Sequence, residues 1–245
     1  VLGDLHEHKV LDGFVAEFGH WDPAAGRGVY DVVPAETMDR PTLLAKHRES
    51  IDALRSGADV VFQAAFFDGQ FHGRSDFLVR QADGSYAVFD TKLARHAKVT
   101  ALLQLGAYGD QLLKAGITPD PAVTLVLGAT VPLPGGGFDY VRSHHNLLEI
   151  LPVFRERRDR FLALTSSHLA QPGAVQWDVA GITACGRCDY CQEQVVATDD
   201  LLLVARMSSA QRKKLRADGI RTVRELAEAT LANPNASLVR LQDQA

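Results

Sequence analysis

A chain of 245 residues, 46% hydrophobic and 23% charged, has enough apolar material for one substantial core and a smaller appendage. A formal net charge of -4 excludes a protein that grips nucleic acid over its whole surface, so any such contact must come from local basic patches. No apolar stretch approaches a membrane span and no basic-then-apolar leader opens the chain, so no membrane association and a cytoplasmic location are expected.

In chain order, Val1 to His8 run into a helical stripe of Val10, Leu11, Phe14, Val15 and Phe18. With no initiating Met, the sequence reads as cut at its front. Residues 21–40 are rich in Pro, Gly and Asp and read as loops around a short strand at 30–33. A helix opens at Pro41, runs through Leu43, Leu44, Ile51 and Leu54, and stops at Gly57. An apolar strand over 60–67 turns at Asp68-Gly69. Two more apolar runs, Phe77-Leu78-Val79 and Tyr86-Ala87-Val88-Phe89, flank the hairpin-type turn Asp83-Gly84.

Asp76 precedes the first of these runs and Asp90-Thr91-Lys92 ends the second. Strand alternation puts Asp90 and Lys92 on one face, and hairpin pairing brings Asp76 beside Asp90. Two convergent carboxylates either share a proton or hold a divalent cation. A cation with an ammonium beside it is what a phosphodiester needs as its transition state gains negative charge. The plainer alternative is a surface hairpin with solvated charges. A helix beginning near Ala97 follows, with Leu102, Leu105, Leu112 and Leu113 at helical spacing and Gln104 and Tyr108 one turn apart. Glu36 and Gln63 are further polar residues placed to line a cleft.

Strands are expected over 123–127 and 138–141, separated by the turn Pro134-Gly135-Gly136-Gly137. A long amphipathic helix over 146–169 carries Pro152 as a kink or break and ends at Gln171-Pro172-Gly173. All the cysteines, Cys185, Cys188 and Cys191, fall within seven residues, which points to a shared ligand. Three thiolates at two-residue gaps suit an iron–sulfur cluster or zinc, and either needs a fourth ligand. Ser208-Ser209 cap a basic helix, Asp218-Gly219-Ile220 make a hairpin, and Thr222-x-x-Glu225 is a capping box for a second helix. The basic groups Lys46/Arg48/Arg55, Arg155/Arg157/Arg158/Arg160 and Arg212/Lys213/Lys214/Arg216 are candidate patches, each read first as a solvated helix face.

Asp76, then Asp90-Thr91-Lys92, then Gln104-x-x-x-Tyr108 resembles the active-site pattern of RecB-like nucleases of the PD-(D/E)XK superfamily, closest to the CRISPR-associated iron–sulfur exonuclease type. The resemblance implies an α/β fold with a restriction-endonuclease-like αβββαβ core and a mixed central sheet. It implies that Asp76 and Asp90 bind Mg²⁺ or Mn²⁺, with His6 of Gly3-x-x-His6 and the Thr91 carbonyl as further ligands. Lys92 assists the attacking water, while Gln104 and Tyr108 orient the site. It also implies a [4Fe–4S] cluster on Cys185, Cys188 and Cys191, with a fourth Cys expected upstream of residue 1; zinc is the alternative.

The expected organisation is a nuclease core over 1–170, a cysteine segment over 171–200 packing back on it, and a helical region over 201–245. That last region resembles a helix-hairpin-helix module, though a plain helical pair is the first reading. The expected activity is metal-dependent exonucleolytic hydrolysis of DNA, single-stranded by preference, in DNA repair, recombination or CRISPR-like processing. The alternatives are an inert DNA-binding or structural module and a structure-specific endonuclease of the same fold. No Gly-rich, lysine-bearing phosphate loop occurs, so a helicase would be a partner or lie on a missing part of the polypeptide.

Overall fold

The computed structural model describes residues 2–171, 173, 176–179, 182, 185, 186, 188–230 and 236–245. Val1, Pro172 of the expected helix stop and Arg187 of the cysteine run lie outside the described residues. The chain divides into two compact units, Val1–Ser167 and His168–Ala245. The cysteines fall in the same unit as the helices that follow them.

The first unit opens with α1 (Leu2–Phe18), β1 (Val29–Asp31), α2 (Arg40–Arg55), β2 (Val60–Phe67) and β3 (His72–Arg80). It continues with β4 (Tyr86–Lys92), α3 (Val99–Lys114), β5 (Ala122–Pro132) and β6 (Phe138–Asn146), and then enters α4 (Leu147–Ala170). The six strands form one mixed sheet in sequence order, with β1–β2 and β4–β5 parallel and the other pairs antiparallel. Parallel neighbours need a crossover, and α2 and α3 supply the two.

Binary patterning explains which face each helix covers. Val61, Ala64, Phe66, Leu78 and Val88 meet Ile51 and Leu54 of α2, Leu105, Tyr108 and Leu112 of α3, and Leu147 and Leu151 of α4. On the opposite face Val60, Phe62, Phe77 and Val79 pack against Phe14, Val10 and Leu11 of α1. Because both faces are covered, the central strands read as continuous apolar runs. Two glycines let α3 approach α4: a Cβ on Gly106 would lie 2.8 Å from Ile150, and one on Gly109 would lie 2.7 Å from Leu147.

Several local expectations meet specific devices. Asp39 caps α2 by accepting the Thr42 amide at 2.9 Å, with Pro41 in the first turn. Gly84, at φ 85°, makes the β3–β4 turn. Pro152 neither splits nor ends α4, which runs through it unbroken. It sits early in the helix, where one lost hydrogen bond is offset by packing of Leu147 and Leu151. No helix among the described residues is long and apolar enough to cross a membrane.

The second unit contains α5 (Asp189–Ala197), a 3-10 turn (Leu201–Leu203), α6 (Ser209–Ala217), α7 (Val223–Glu228) and α8 (Ala236–Gln242). Its small core joins Leu201, Val204, Leu215, Leu226 and Leu241. Buried Asp200 takes Arg212 in a two-pronged contact at 2.8 and 2.5 Å, the planar fit that makes such pairs directional.

Candidate metal and phosphodiester site

The site begins at a distortion. The β2–β3 register passes from Phe62↔Phe77 to Ala64↔Ser75, leaving Gln63 and Asp76 facing each other without ladder pairing. Gln63 has a φ of 55°, a left-handed conformation that costs a residue with a Cβ on the order of 1 kcal/mol. The inward alternation of β2 slips by one residue there, from Val61 to Ala64 and Phe66. Opposite the slip, Asp76 reaches to the end of β4: its Oδ2 accepts the Thr91 amide at 2.6 Å and the Thr91 hydroxyl at 2.7 Å. Continuing the register one step past Phe77↔Phe89 puts Asp76 across from Asp90.

Asp90 is wholly buried, its side chain 0% exposed. Neither of its carboxylate oxygens has a hydrogen-bond partner, although the Lys92 ammonium makes an ion-pair contact with Oδ2 at 2.5 Å. Burial, reinforced by the charge of Asp76 and only partly offset by Lys92, pushes the Asp90 carboxyl up to about 7. A buried carboxylate met by a single ammonium is costly and persists only where something else is gained.

Around this pair stand four more groups. Gln104 Nε2 donates to the Tyr108 hydroxyl at 3.0 Å across one turn of α3. Burial, with the Asp90 and Asp76 charges adding, pushes the Tyr108 phenol up to about 12. From α1, Glu7 accepts a hydrogen bond from Gln63; burial and then the Asp76 charge raise its carboxyl above the usual range. His6 is buried, with Tyr140 edge-on at 4.3 Å. Its Nε2 donates to the Val126 carbonyl at 3.0 Å, and its Nδ1 is buried without a partner. A ring fixed through one nitrogen by a backbone carbonyl presents the other nitrogen as a lone pair, the usual arrangement of a ligating histidine.

The described residues contain four buried side-chain polar atoms with no hydrogen-bond partner: His6 Nδ1, Ser75 Oγ and the two Asp90 oxygens. Two of the expected ligands, His6 and Asp90, thus account for three of them, and Ser75 adjoins a third, Asp76. The ligand atoms of His6, Asp76 and Asp90 do not, however, form a closed set. Among the described residues only Cys185, Cys188 and Cys191 bring three such atoms within 4.8 Å of one another. His6, Asp76 and Asp90 are each engaged by a neighbour: Asp76 Oδ2 accepts from Thr91, the His6 ring donates to Val126, and Lys92 lies against Asp90. Carboxylate oxygens are the donor type of Mg²⁺ and an imidazole is a donor suited to Mn²⁺, so the residue types, though not a closed geometry, are those of such a site.

The cysteine site is compact. Cys185 and Cys191 Sγ lie 3.5 Å apart, and the amides of Cys188 and Cys191 donate to the sulfurs of Cys185 and Cys188 at 3.3 and 3.4 Å. Cys188 also caps α5, a helix the sequence pattern did not disclose. These three thiols are placed to hold a metal ion. The hairpin between α6 and α7 is a plain helical pair. The amides of Arg221 and Thr222 both donate to Glu225 Oε2, that of Val223 to the Asp199 carbonyl, and that of Arg224 to the Asp199 carboxylate. Those amides are spent inside the protein and are not offered to a phosphate.

Sequence reasoning missed Glu7, for which adjacency to His6 was the available clue, and Gly128. A Cβ on Gly128 would lie 2.6 Å from the Leu93 carbonyl oxygen, so only glycine lets β5 pass the chain leaving Lys92. Glu36 is exposed, whereas Gln63 does join the site through Glu7. No family model matches the chain, and neither a curated protein nor a solved structure matches it significantly.

Proposed function

We propose that the chain is a divalent-metal-dependent deoxyribonuclease of the RecB-like, PD-(D/E)XK kind, hydrolysing phosphodiester bonds of single-stranded DNA from a free end. The observation that carries this reading is the pair of buried ligand-type groups, the Asp90 carboxylate, met only by the Lys92 ammonium, and the unpartnered His6 Nδ1, beside Asp76. The order α2-β2-β3-β4-α3-β5 supports it, since it presents these residues as the αβββαβ arrangement would.

Asp76, Asp90 and His6 would hold Mg²⁺ or Mn²⁺, which when bound polarises the scissile phosphate and lowers the pKa of an attacking water. Thr91 fixes the rotamer of Asp76 with two donors. Lys92 supplies a mobile ammonium to the water or to charge developing on the phosphate. Gln104 and Tyr108 brace the wall formed by α3. The test is Asp90→Ala and Lys92→Ala: each should abolish Mg²⁺- or Mn²⁺-dependent degradation of single-stranded DNA while circular dichroism is unchanged. Equal rates on free-ended and end-blocked strands would instead mark an endonuclease, and undiminished degradation by both variants would remove the reading.

For the thiols we favour a [4Fe–4S] cluster, on the resemblance of the surrounding pattern. One distance favours the alternative, a single zinc ion: the 3.5 Å between Cys185 and Cys191 Sγ is close to the edge, about 3.8 Å, of a tetrahedron of sulfurs about 2.3 Å from one ion.

A further inference from the structure

The basic patches nominated from sequence are largely spent within the protein. Arg155 and Arg158 hold Asp110, Arg212 and Arg216 hold Asp200 and Asp178, and Lys46 holds Glu49. A further group of basic residues adjoins the candidate site. The segment leaving β4 and entering α3 carries Lys92, Arg95, His96 and Lys98, and no Asp or Glu occurs from Leu93 to Gly109. Arg95, His96 and Lys98 are exposed and have no partner among the described residues.

A cavity of about 180 Å³ opens among Lys92, His96, Lys98, Thr100 and Gln104, and no acid lines it. Its volume is below the roughly 300–1,000 Å³ of pockets that enclose a whole small molecule, which suits a single charged group on a longer ligand. The uncapped N-terminus of α3, where the Lys98 side chain makes no capping bond, adds its partial positive charge. Lys92 and Gln104 belong both to this cavity and to the candidate site.

We propose that this cavity is a phosphate subsite, holding the backbone phosphate next to the bond being cut in a single-stranded nucleic acid. The proposal rests on the nuclease reading and deepens it: His96 and Lys98 bind the strand and set its position, while Asp76, Asp90 and Lys92 act on the neighbouring linkage. On a chain whose net charge is -4, this is a local reversal of sign at the one place where a polyanion has to be threaded.

The experiment measures fluorescence anisotropy of a labelled oligothymidylate across a salt series, with Asp90→Asn as the background so that nothing is cut. Adding His96→Ala and Lys98→Ala should flatten the plot of log affinity against log salt by about 0.7, the slope carried by one single-strand phosphate contact. In the active chain the same pair should raise KM more than it lowers kcat. Arg160→Ala, which removes an exposed cation on α4 paired with Glu156, should leave the slope unchanged. An unchanged slope in the double variant, or an equal loss in Arg160→Ala, overturns the subsite. If the wild-type chain cuts no DNA, the nuclease reading fails and the slope still decides the subsite. If it cuts and the double variant keeps both slope and KM, the subsite fails and the nuclease reading stands.

Discussion

The ammonium of Lys92 lies 2.5 Å from Oδ2 of Asp90, and among the described residues it is the one counter-charge in contact with that wholly buried carboxylate. Its compensation is incomplete, because burial and the Asp76 charge still raise the Asp90 carboxyl to about 7. A carboxyl that titrates higher in the folded chain than in the unfolded one, where it sits at about 3.9, binds its proton more tightly when folded. Its contribution is therefore fully present at low pH and is lost as pH rises from about 4 through 7. Over that window the metal-free protein should lose on the order of 2–4 kcal/mol from this group. Asp90→Asn should flatten the profile and raise the melting temperature at pH 8 while abolishing cleavage. Melting curves at pH 5 and pH 8 that run parallel in the two proteins would refute the assignment.

Divalent cations should reverse that penalty. A cation bound by Asp90 favours the ionised carboxyl, so Mg²⁺ or Mn²⁺ should raise the melting temperature more at pH 8 than at pH 5.5. Asp90→Asn should remove the effect at both pH values. His6→Ala should reduce the response to Mn²⁺ more than the response to Mg²⁺, because imidazole is the softer donor. An Mn²⁺ response untouched by His6→Ala would leave His6 as a packing residue against Tyr140.

Much of the core could be read in advance because it rests on local chemistry. The 60–67 strand matches β2 residue for residue, and the cap at Ser208 and the capping box at Thr222 start α6 and α7 where they should. The acids and Lys92 were legible because strand alternation and one hairpin fix their neighbours. What escaped depends on partners far away in sequence. The Gln63 distortion is visible only once Asp76 faces it, and Glu7 matters only because α1 lies against β2. The paired state of Arg155 and Arg158 depends on Asp110, more than forty residues earlier, so their basic run alone did not disclose it. Helix α5 has no apolar stripe of usual length and is set by its Cys188 cap.

Gly128 should prove to be a positioning residue. The neighbours a Cβ would meet are backbone atoms of Leu93, immediately after Lys92, and backbone cannot swing aside as a side chain can. Gly128→Ala should cost about 1–3 kcal/mol as an overpacking change and should lower kcat by displacing the Lys92 ammonium. Gly13→Ala is the contrast: it lies within α1 with nothing within 4 Å of its added Cβ. That change should stabilise by up to about 1 kcal/mol and leave kcat alone. Equal kcat in the two variants would show that the β5 crossing does not hold Lys92 in place.

The cysteine set allows a decision by composition. Cys191 is the buried member and its amide binds Cys188 Sγ, so it ties the start of α5 to whatever the thiols hold. Purified without oxygen, the chain should carry about four irons and a broad visible absorbance if a [4Fe–4S] centre is present. Under the zinc alternative it should carry a single colourless ion held by thiolates. Cys191→Ser should release the metal in either case. Because metal-binding energy is folding energy in small units, residues 168–245 should then be cut by protease faster, while 1–167 keeps its resistance. Stoichiometric zinc without iron would retire the cluster and leave the acid site untouched. Absence of both metals from a chain never exposed to oxygen or chelator would mean that the three thiols serve only the local hydrogen bonds from the amides of Cys188 and Cys191.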